Sequence, residues 1–559
     1  MSTGVRMVQK ASPVQLLGKH SGARSGGLEL AMSLPRKHSS FSNSVVADRS
    51  LDRSRTSQTA LHLAALAVVL LLAVGVRVAF LNTLGYNSDE AVYAGQAAAI
   101  AQDPVLSEIF PVFRAHPLLF QFVLSLFYSV FGASDWLGRA VSAGVGVFTV
   151  YLVYCLGVSL YGRRAGLYAG LFLALMPYHV IVTRQVLLDG PMVFCSTLSL
   201  FFMVRFTQTR RAEWLYAAAA GMGLTFLAKE TSILMVGAIY AFLALSPKLP
   251  VRIVDIFISL FTMVAVMAAF PLSVSLAGGG GGGKTQQYLV WQLFRRPNHT
   301  WDFYPSVVTP AVGVLVIVAA LLGLWFLRRE NGWREKLLGL WILVPVVFFE
   351  LWPTKGFQYL LPAAPPLALL AARTLVYLPS RRLRIFRWRI PQYLPGLLGA
   401  GIVASSLFMT SWSRIDPAPS TTFFAGSGGI PGGREAGLWI DAHVPKGATF
   451  VAIGPSMANI LKFYGHRRIF GLSVSPNPLH RNPSYEPVYN LDYQIRSGEV
   501  QYLVWDSFSA GRTTFFSETL LRYVQKYHGR VVHMRALPVS TPDGTTTDKP
   551  IIIIYEVRP

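Results

Sequence analysis

Apolar residues run along most of this chain in blocks too long and too uniform for the core of a water-soluble protein. The first block, "LHLAALAVVLLLAVGVRVAFL" at 61–81, is roughly 30 Å long as a helix, the thickness of a bilayer's hydrocarbon core. Similar blocks follow at 136–160, 165–182, 190–206, 214–228, 231–246, 253–276, 307–327, 337–352, 357–378 and 393–412. With the first they predict about eleven transmembrane helices. A further apolar run, 114–132, would invert every later basic loop if it crossed, so it is predicted to lie along the membrane surface.

The pattern changes at both ends. Residues 1–59 are rich in Ser, Gly, Arg and Lys with little periodicity, and predict a disordered basic cytoplasmic tail. Residues 413–559 alternate short strand-like runs ("ATFVAIG", "VQYLVWD", "PIIIIYEV") with helix-like ones ("REAGLWIDAHV", "SMANILKFYG"). They predict a C-terminal extracytoplasmic α/β domain behind a membrane domain at 60–412.

Charge orients this layout. Of 559 residues, 52% are apolar and 14% charged, with a net charge of +23. In a soluble chain that excess would suggest nucleic acid. Here no basic stripe interleaved with aromatics is present, and the excess lies beside the spans. Sixteen Lys and Arg fall in loops on the side of the N-terminus, and nine at the opposite ends. The N-terminus is therefore expected in the cytoplasm of a multi-pass plasma-membrane protein. Cys155 and Cys195 lie inside apolar runs without metal-like spacing and read as buried hydrophobes.

Polar groups gather on the outer face. Asp89 and Glu90 begin a helix-compatible stretch eight residues past the first span. Adjacent carboxylates repel, so a partner is expected for at least one, although Ser88 and Asp89 would also suit a helix cap. Asp189, with Arg184 five residues before it, opens a later span; it too suits a cap. Lys229 and Lys355 stand at outer span ends, where a lysine often only reaches for water. His116 is a lone histidine in "RAHPLL". Single members are weak, but the set supplies cations for phosphate and a carboxylate for proton removal at one depth.

The order "DE", "HPLL", "YGRRAG", "TRQVLLDGP", "LAKE" and "KGFQYLLPAAPPLALL" resembles the GT-C superfamily of membrane glycosyltransferases over about residues 60–412. The protein O-mannosyltransferase and aminoarabinose transferase group is the nearest in pattern. The resemblance implies transfer of a sugar from a polyprenyl (dolichyl or undecaprenyl) phosphate to a protein, lipid or glycan acceptor on the outer face, with inversion. It implies Asp89 as general base, Glu90 as orienting the acceptor or a metal, and Asp189 as the acid of the second external loop. It implies Lys355 and Tyr359 near the carrier phosphate, although Gln358 stands where the family has Arg. Lys229, Arg184, His116, Arg295 and Arg296 complete the substrate-binding candidates. The sequence establishes no cofactor and leaves metal dependence open; a divalent cation, Mg or Mn, is compatible, with Glu90 and Asp189 as candidate ligands. Two other readings share the topology: a glycan transferase using a lipid-pyrophosphate donor, and a non-enzymatic lipid or glycan transporter.

"GGGGGGKT" at 278–285 satisfies the phosphate-loop pattern. A phosphate loop needs a strand before it, and here an apolar span precedes. ATP binding is therefore not expected. The run predicts a mobile outer loop over about 277–306, hinged at the glycines.

Overall fold

The computed structural model describes residues 41–278, 280–325, 332–377, 384–385, 388–389, 391, 393–416, 430–540 and 546–559. Most of the expected tail, 1–40, and parts of the basic loops near 328 and 381 lie outside these. Residues 41–59 are not loop but the start of one helix, Phe41–Val78. Leu61–Pro559 form one compact unit.

Among the described residues, six helices are long and apolar enough to cross a membrane, and two bent pairs raise the number to eight. Other expected spans appear among the described residues as shorter helices. One bent pair is Arg163–Leu175 with Pro177–Thr183, bent by 60°. Pro177 sits at the first helical position, where a missing N–H costs nothing, and the residue before it is driven to extended backbone. Ala174 lies in the last turn before the break, and its carbonyl takes a side-chain donor. Arg77, fully buried, donates to it at 3.0 Å and to Ala73 O, Thr183 Oγ1 and His179 besides. The other pair, Phe303–Val312 with Val314–Trp325, turns by 94° at Gly313. Gly313 has φ +94°, and a Cβ there would meet Leu407 Cδ2 at 2.7 Å.

Two expected spans, 214–228 and 231–246, are shorter than a bilayer needs. They form Ala212–Ala228 and, past Lys229, a 3₁₀ turn Glu230–Met235 running into Val236–Ala244. The run 114–132 gives the helix Leu119–Phe131, whose 13 residues reach only about 20 Å. Phe120, Leu124 and Tyr128 pack inward, whereas Phe122, Leu126 and Val130 are exposed.

A main apolar core runs through the helices between Val69 and Ile415. Near its cytoplasmic expectation, Arg373 and Tyr161 both pair with the buried Glu335. Both cysteines are free.

Arg384–Ile385 (β1) and Trp388–Arg389 (β2) make a small antiparallel pair. After residue 430 the chain forms a five-stranded sheet from Thr449–Ala452 (β3), Arg468–Gly471 (β4), Tyr502–Asp506 (β5), Arg530–Ser540 (β6) and Thr546–Glu556 (β7). The order is β4-β3-β5-β7-β6. β3 is parallel to both β4 and β5, and β7 is antiparallel to β5 and β6. Strands buried on both faces read as continuous apolar runs, which is why "FVAI" and "YLVW" lack alternation. The crossover from β3 to β4 is the helix Pro455–Gly465.

That crossover helix packs on the helix Ser88–Ile100. Phe463 and Tyr464 enter one apolar cluster with Tyr86, Phe110 and Leu124. Tyr464 OH accepts from Tyr86 N and donates to Asp135 Oδ2, both at 2.8 Å. Arg434 donates twice to Asn82 O. The sheet layer is thus built into the segment that carries the acidic pair.

Candidate active site

The helix Ser88–Ile100 opens with a capping box. Asn87 Oδ1 accepts from the N–H groups of Asp89 and Glu90, and Glu90 Oε2 accepts from Asn87 N at 3.0 Å. The cap is Asn87 rather than Ser88 or Asp89, so Asp89 is left free. The two acids then part company. Glu90 has no exposed surface. Its oxygens lie 2.8 and 2.7 Å from Nε and Nη2 of Arg139, and Oε1 also accepts from Val186 N. Arg139 spends its other donors on the Leu81, Leu84 and Gly85 carbonyls at the end of the first span. Glu90 therefore fixes the start of its helix from within. Asp89, one residue earlier, is exposed and faces a cavity of about 1590 Å³. Its carboxylate has no hydrogen-bond partner among the described residues.

The same cavity is lined by His116, Lys229, Tyr359, Arg295 and Arg296. The dipeptide Lys229-Glu230 organises this floor. Lys229 Nζ donates to Asp189 Oδ1 at 2.7 Å and lies 4.8 Å from the centre of the Tyr359 ring. Glu230 Oε2 meets His116 Nδ1 at 2.8 Å. The His116 ring packs edge-on against Tyr288, from the helix Gly280–Leu293, and against Tyr93. Asp189, at 2% exposure, touches the cavity only through Lys229. Glu230, Arg139, Tyr93 and Tyr288 were not singled out in the sequence. Only Glu230 carried a signal, as a charge beside Lys229 in an apolar run.

Besides Glu90 and Asp189, two further sequence candidates do not line the cavity. Arg184 donates to the Val76 and Ala79 carbonyls and so caps the first span. Lys355 Nζ lies 2.8 Å from Glu350 Oε1, beneath the Tyr304 ring. Each is spent on a local partner that sequence spacing does not reveal. The glycine run also differs from expectation. Gly278 has φ +89°, and Gly280–Leu293 is helical rather than loop, with irregular chain after it over 294–302. Residue 279 lies outside the described residues. The helix carries Tyr288, Trp291 and Gln292 to the cavity, and Arg295 and Arg296 follow it.

A divalent cation does not fit Glu90 and Asp189 as they stand. Glu90 is saturated by a guanidinium and two backbone N–H groups, and Asp189 faces an ammonium. No cluster of three or more His, Cys, Asp or Glu able to hold a metal ion occurs among the described residues.

The opposite wall of the cavity comes from the sheet layer. The connections leaving the carboxyl ends of β3, β4 and β5 contribute Ser456, from the start of the helix Pro455–Gly465, Ser473 and Ser475, and Phe508 and Arg512, from the helix Ser507–Arg512. Ligands bind at this edge of parallel sheets, where the connections diverge.

Residues 115–274 match the family model described as dolichyl-phosphate-mannose-protein mannosyltransferase. Over 322 residues the chain is 27% identical to an undecaprenyl phosphate-alpha-4-amino-4-deoxy-L-arabinose arabinosyl transferase of Pectobacterium atrosepticum, covering 53% of this chain and 56% of the relative. The chain spans no more than 56% of the length of the curated relatives it matches, and as little as 15% of one. Among solved structures it is similar to ArnT from Cupriavidus metallidurans in the apo state. That likeness has a TM-score of 0.65 at 15% identity and covers 90% of this chain and 98% of the other. The same protein bound to undecaprenyl phosphate gives a TM-score of 0.64 at 15% identity, over 88% and 97% of the two chains.

Proposed function

We propose that this chain, which has the fold of the GT-C membrane glycosyltransferases, transfers a sugar from a polyprenyl-phosphate carrier to an acceptor hydroxyl. One observation carries the reading: a free carboxylate, Asp89, shares a chamber with Lys229, Arg295 and Arg296. The matched mannosyltransferase model and the arabinosyl transferase relative support the same chemistry.

In this reading Asp89 takes the proton of the acceptor hydroxyl, whose oxygen attacks the anomeric carbon. The bond from that carbon to the phosphate oxygen breaks on the opposite side, and the configuration inverts. The carrier leaves as a phosphate anion, stabilised by Lys229, Arg295, Arg296 and the His116–Glu230 pair. Glu90 positions Asp89 without touching substrate. Donors preset where negative charge develops, in a site partly shielded from water, are worth several kcal/mol in the transition state. No step needs a metal ion, so chelation should leave transfer intact.

The supporting layout has eleven membrane-crossing or partly crossing segments, a cytoplasmic N-terminus, and the sheet layer outside the plasma membrane. The helix Gly280–Leu293 would cover the donor's sugar, with Gly278, at φ +89°, as its hinge. The test is Asp89→Asn assayed with a radiolabelled polyprenyl-phosphate sugar. Turnover should fall at least about 100-fold while binding of the carrier persists. A fully active variant would refute the assignment.

A further inference from the structure

The chamber is larger than one sugar-phosphate requires. Pockets for small ligands run to about 300–1,000 Å³, whereas this one is about 1590 Å³. The groups assigned to the donor stand on the side of the chamber built by the helices. The far half is bounded by the carboxyl ends of β3, β4 and β5 and by the segment 480–487.

That far wall has a specific chemistry. Arg114 is held by Ser484 O at 3.1 Å and lies 4.5 Å from the centre of the Tyr485 ring. Arg481 is held by Ser475 O and Pro476 O, both at 3.1 Å. Arg512 lies over the Phe508 ring. Carbonyl dipoles and ring faces fix these three guanidinium groups, yet none has a carboxylate partner among the described residues. Glu486 is the one acid on this wall. Behind it, Lys462 is pushed down to about 8 by burial; Glu486 opposes the shift and Arg114 adds to it. The wall is therefore short of negative charge. It also presents hydroxyls (Ser456, Ser473) beside aromatic faces, the usual lining for a saccharide.

We propose that this wall is the acceptor site, and that the acceptor is an anionic saccharide carrying phosphate or carboxylate beside the receiving hydroxyl. The proposal rests on the glycosyl-transfer reading and names its second substrate class. Arg481 and Arg512 pair with the acceptor's anionic group, and Arg114 supports the loop that carries Tyr485. The sugar ring lies on Tyr485 and Phe508, and its hydroxyl points across the chamber to Asp89.

The test uses the full-length protein in micelles saturated with undecaprenyl phosphate, which removes the donor cations from competition. Glucose 6-phosphate and glucuronate are titrated, with glucose as the neutral control. Two charge-assisted hydrogen bonds correspond to at least about a tenfold preference for the charged sugars. The Arg481→Ala/Arg512→Ala variant should lose that preference. Arg481→Lys/Arg512→Lys should keep most of it, and both should bind undecaprenyl phosphate like the wild type. Stronger binding of glucose 6-phosphate than of glucuronate would name phosphate as the acceptor's group, and the reverse would name carboxylate. Equal binding of glucose and the charged sugars would overturn the proposal, as would a preference that survives the alanine variant. A glutamate-rich peptide that binds more tightly than either sugar, through the same arginines, would overturn it in favour of a protein acceptor. Failure of undecaprenyl phosphate to bind the wild type would instead sink the transfer reading itself.

Discussion

Replacing Arg139 with alanine should damage the active site without touching a substrate. The side chain is 6% exposed and gives two donors to Glu90 and three to carbonyls at the end of the first span. Glu90, with no exposure at all, would keep only the N–H groups of Asn87 and Val186. Removing one partner of a buried ion pair costs about 3–5 kcal/mol, because the remaining charge stays out of water. The first turn of the helix Ser88–Ile100 would then shift or fray, and Asp89 moves with it. A displacement of about 1 Å lowers turnover about 100-fold. The assay has two readouts: apparent Tm in micelles at a fixed scan rate, and donor turnover. Both should fall for Arg139→Ala, whereas carrier binding, which the proposed reading assigns to Lys229 and Arg295, should hold. Neutralising the stranded acid supplies the control. Glu90→Gln added to Arg139→Ala should recover part of the stability, so that the two changes together cost less than their sum. Wild-type Tm and turnover in Arg139→Ala would refute the claim that Glu90 positions Asp89, and strictly additive losses would refute the pairing.

Three further outcomes follow from the same geometry. Lys229→Met strands Asp189 and should lower both stability and turnover; Asp189→Asn/Lys229→Met should regain stability but stay about 100-fold slow, because the cation is gone. Tyr464→Phe removes the donor to Asp135 and the acceptor for Tyr86 N; it should cost about 1–3 kcal/mol, read as a drop in Tm, and an unchanged Tm would show that the sheet layer is not anchored there. Burial pushes the Asp506 carboxyl up to about 6, against the Ser509 N–H that lowers it. The folded state therefore holds this proton where the unfolded state releases it. Stability from this group is complete below about pH 4, is lost as pH rises to about 6, and totals about 3 kcal/mol at most; Asp506→Asn should flatten that slope, and an unchanged pH profile of Tm would show that Asp506 is not its source.

Much of this site is legible in the chain because membrane burial is costly for charge. An ionisable residue at the edge of an apolar run stands out against its neighbours, and Asp89, Lys229, Asp189 and His116 were visible on that ground. What each of them pairs with was not visible. Glu90 and Arg139 are 49 residues apart and meet only because the helices Ser88–Ile100 and Asp135–Tyr161 converge. Arg184 and Lys355 satisfy carbonyls and an acid that no periodicity marks. Hydropathy also cannot register a bend, so the breaks at Met176 and Gly313 are invisible in an otherwise apolar stretch, and straight spans were expected there. The glycine run misled in the other direction. Glycine's entropy argues for loop, but the apolar side chains that follow it carry the helix backwards into the run. The far wall of the chamber was hidden because it is assembled from three connections that only the sheet brings together.

The dipeptide Lys229-Glu230 has a consequence for how the chain assembles. Two neighbouring residues of opposite charge reach two segments far apart in sequence, Asp189 on one side and His116 on the other. A slip of one residue in this short, irregular stretch would set Glu230 against Asp189 and bring Lys229 to the imidazole. Both contacts would then be repulsive or unpaired in a poorly hydrated place. The pair thus acts as a check on threading: the loops close only when the turn between the two short helices is in register, and the wrong alignment is rejected before the chamber can form.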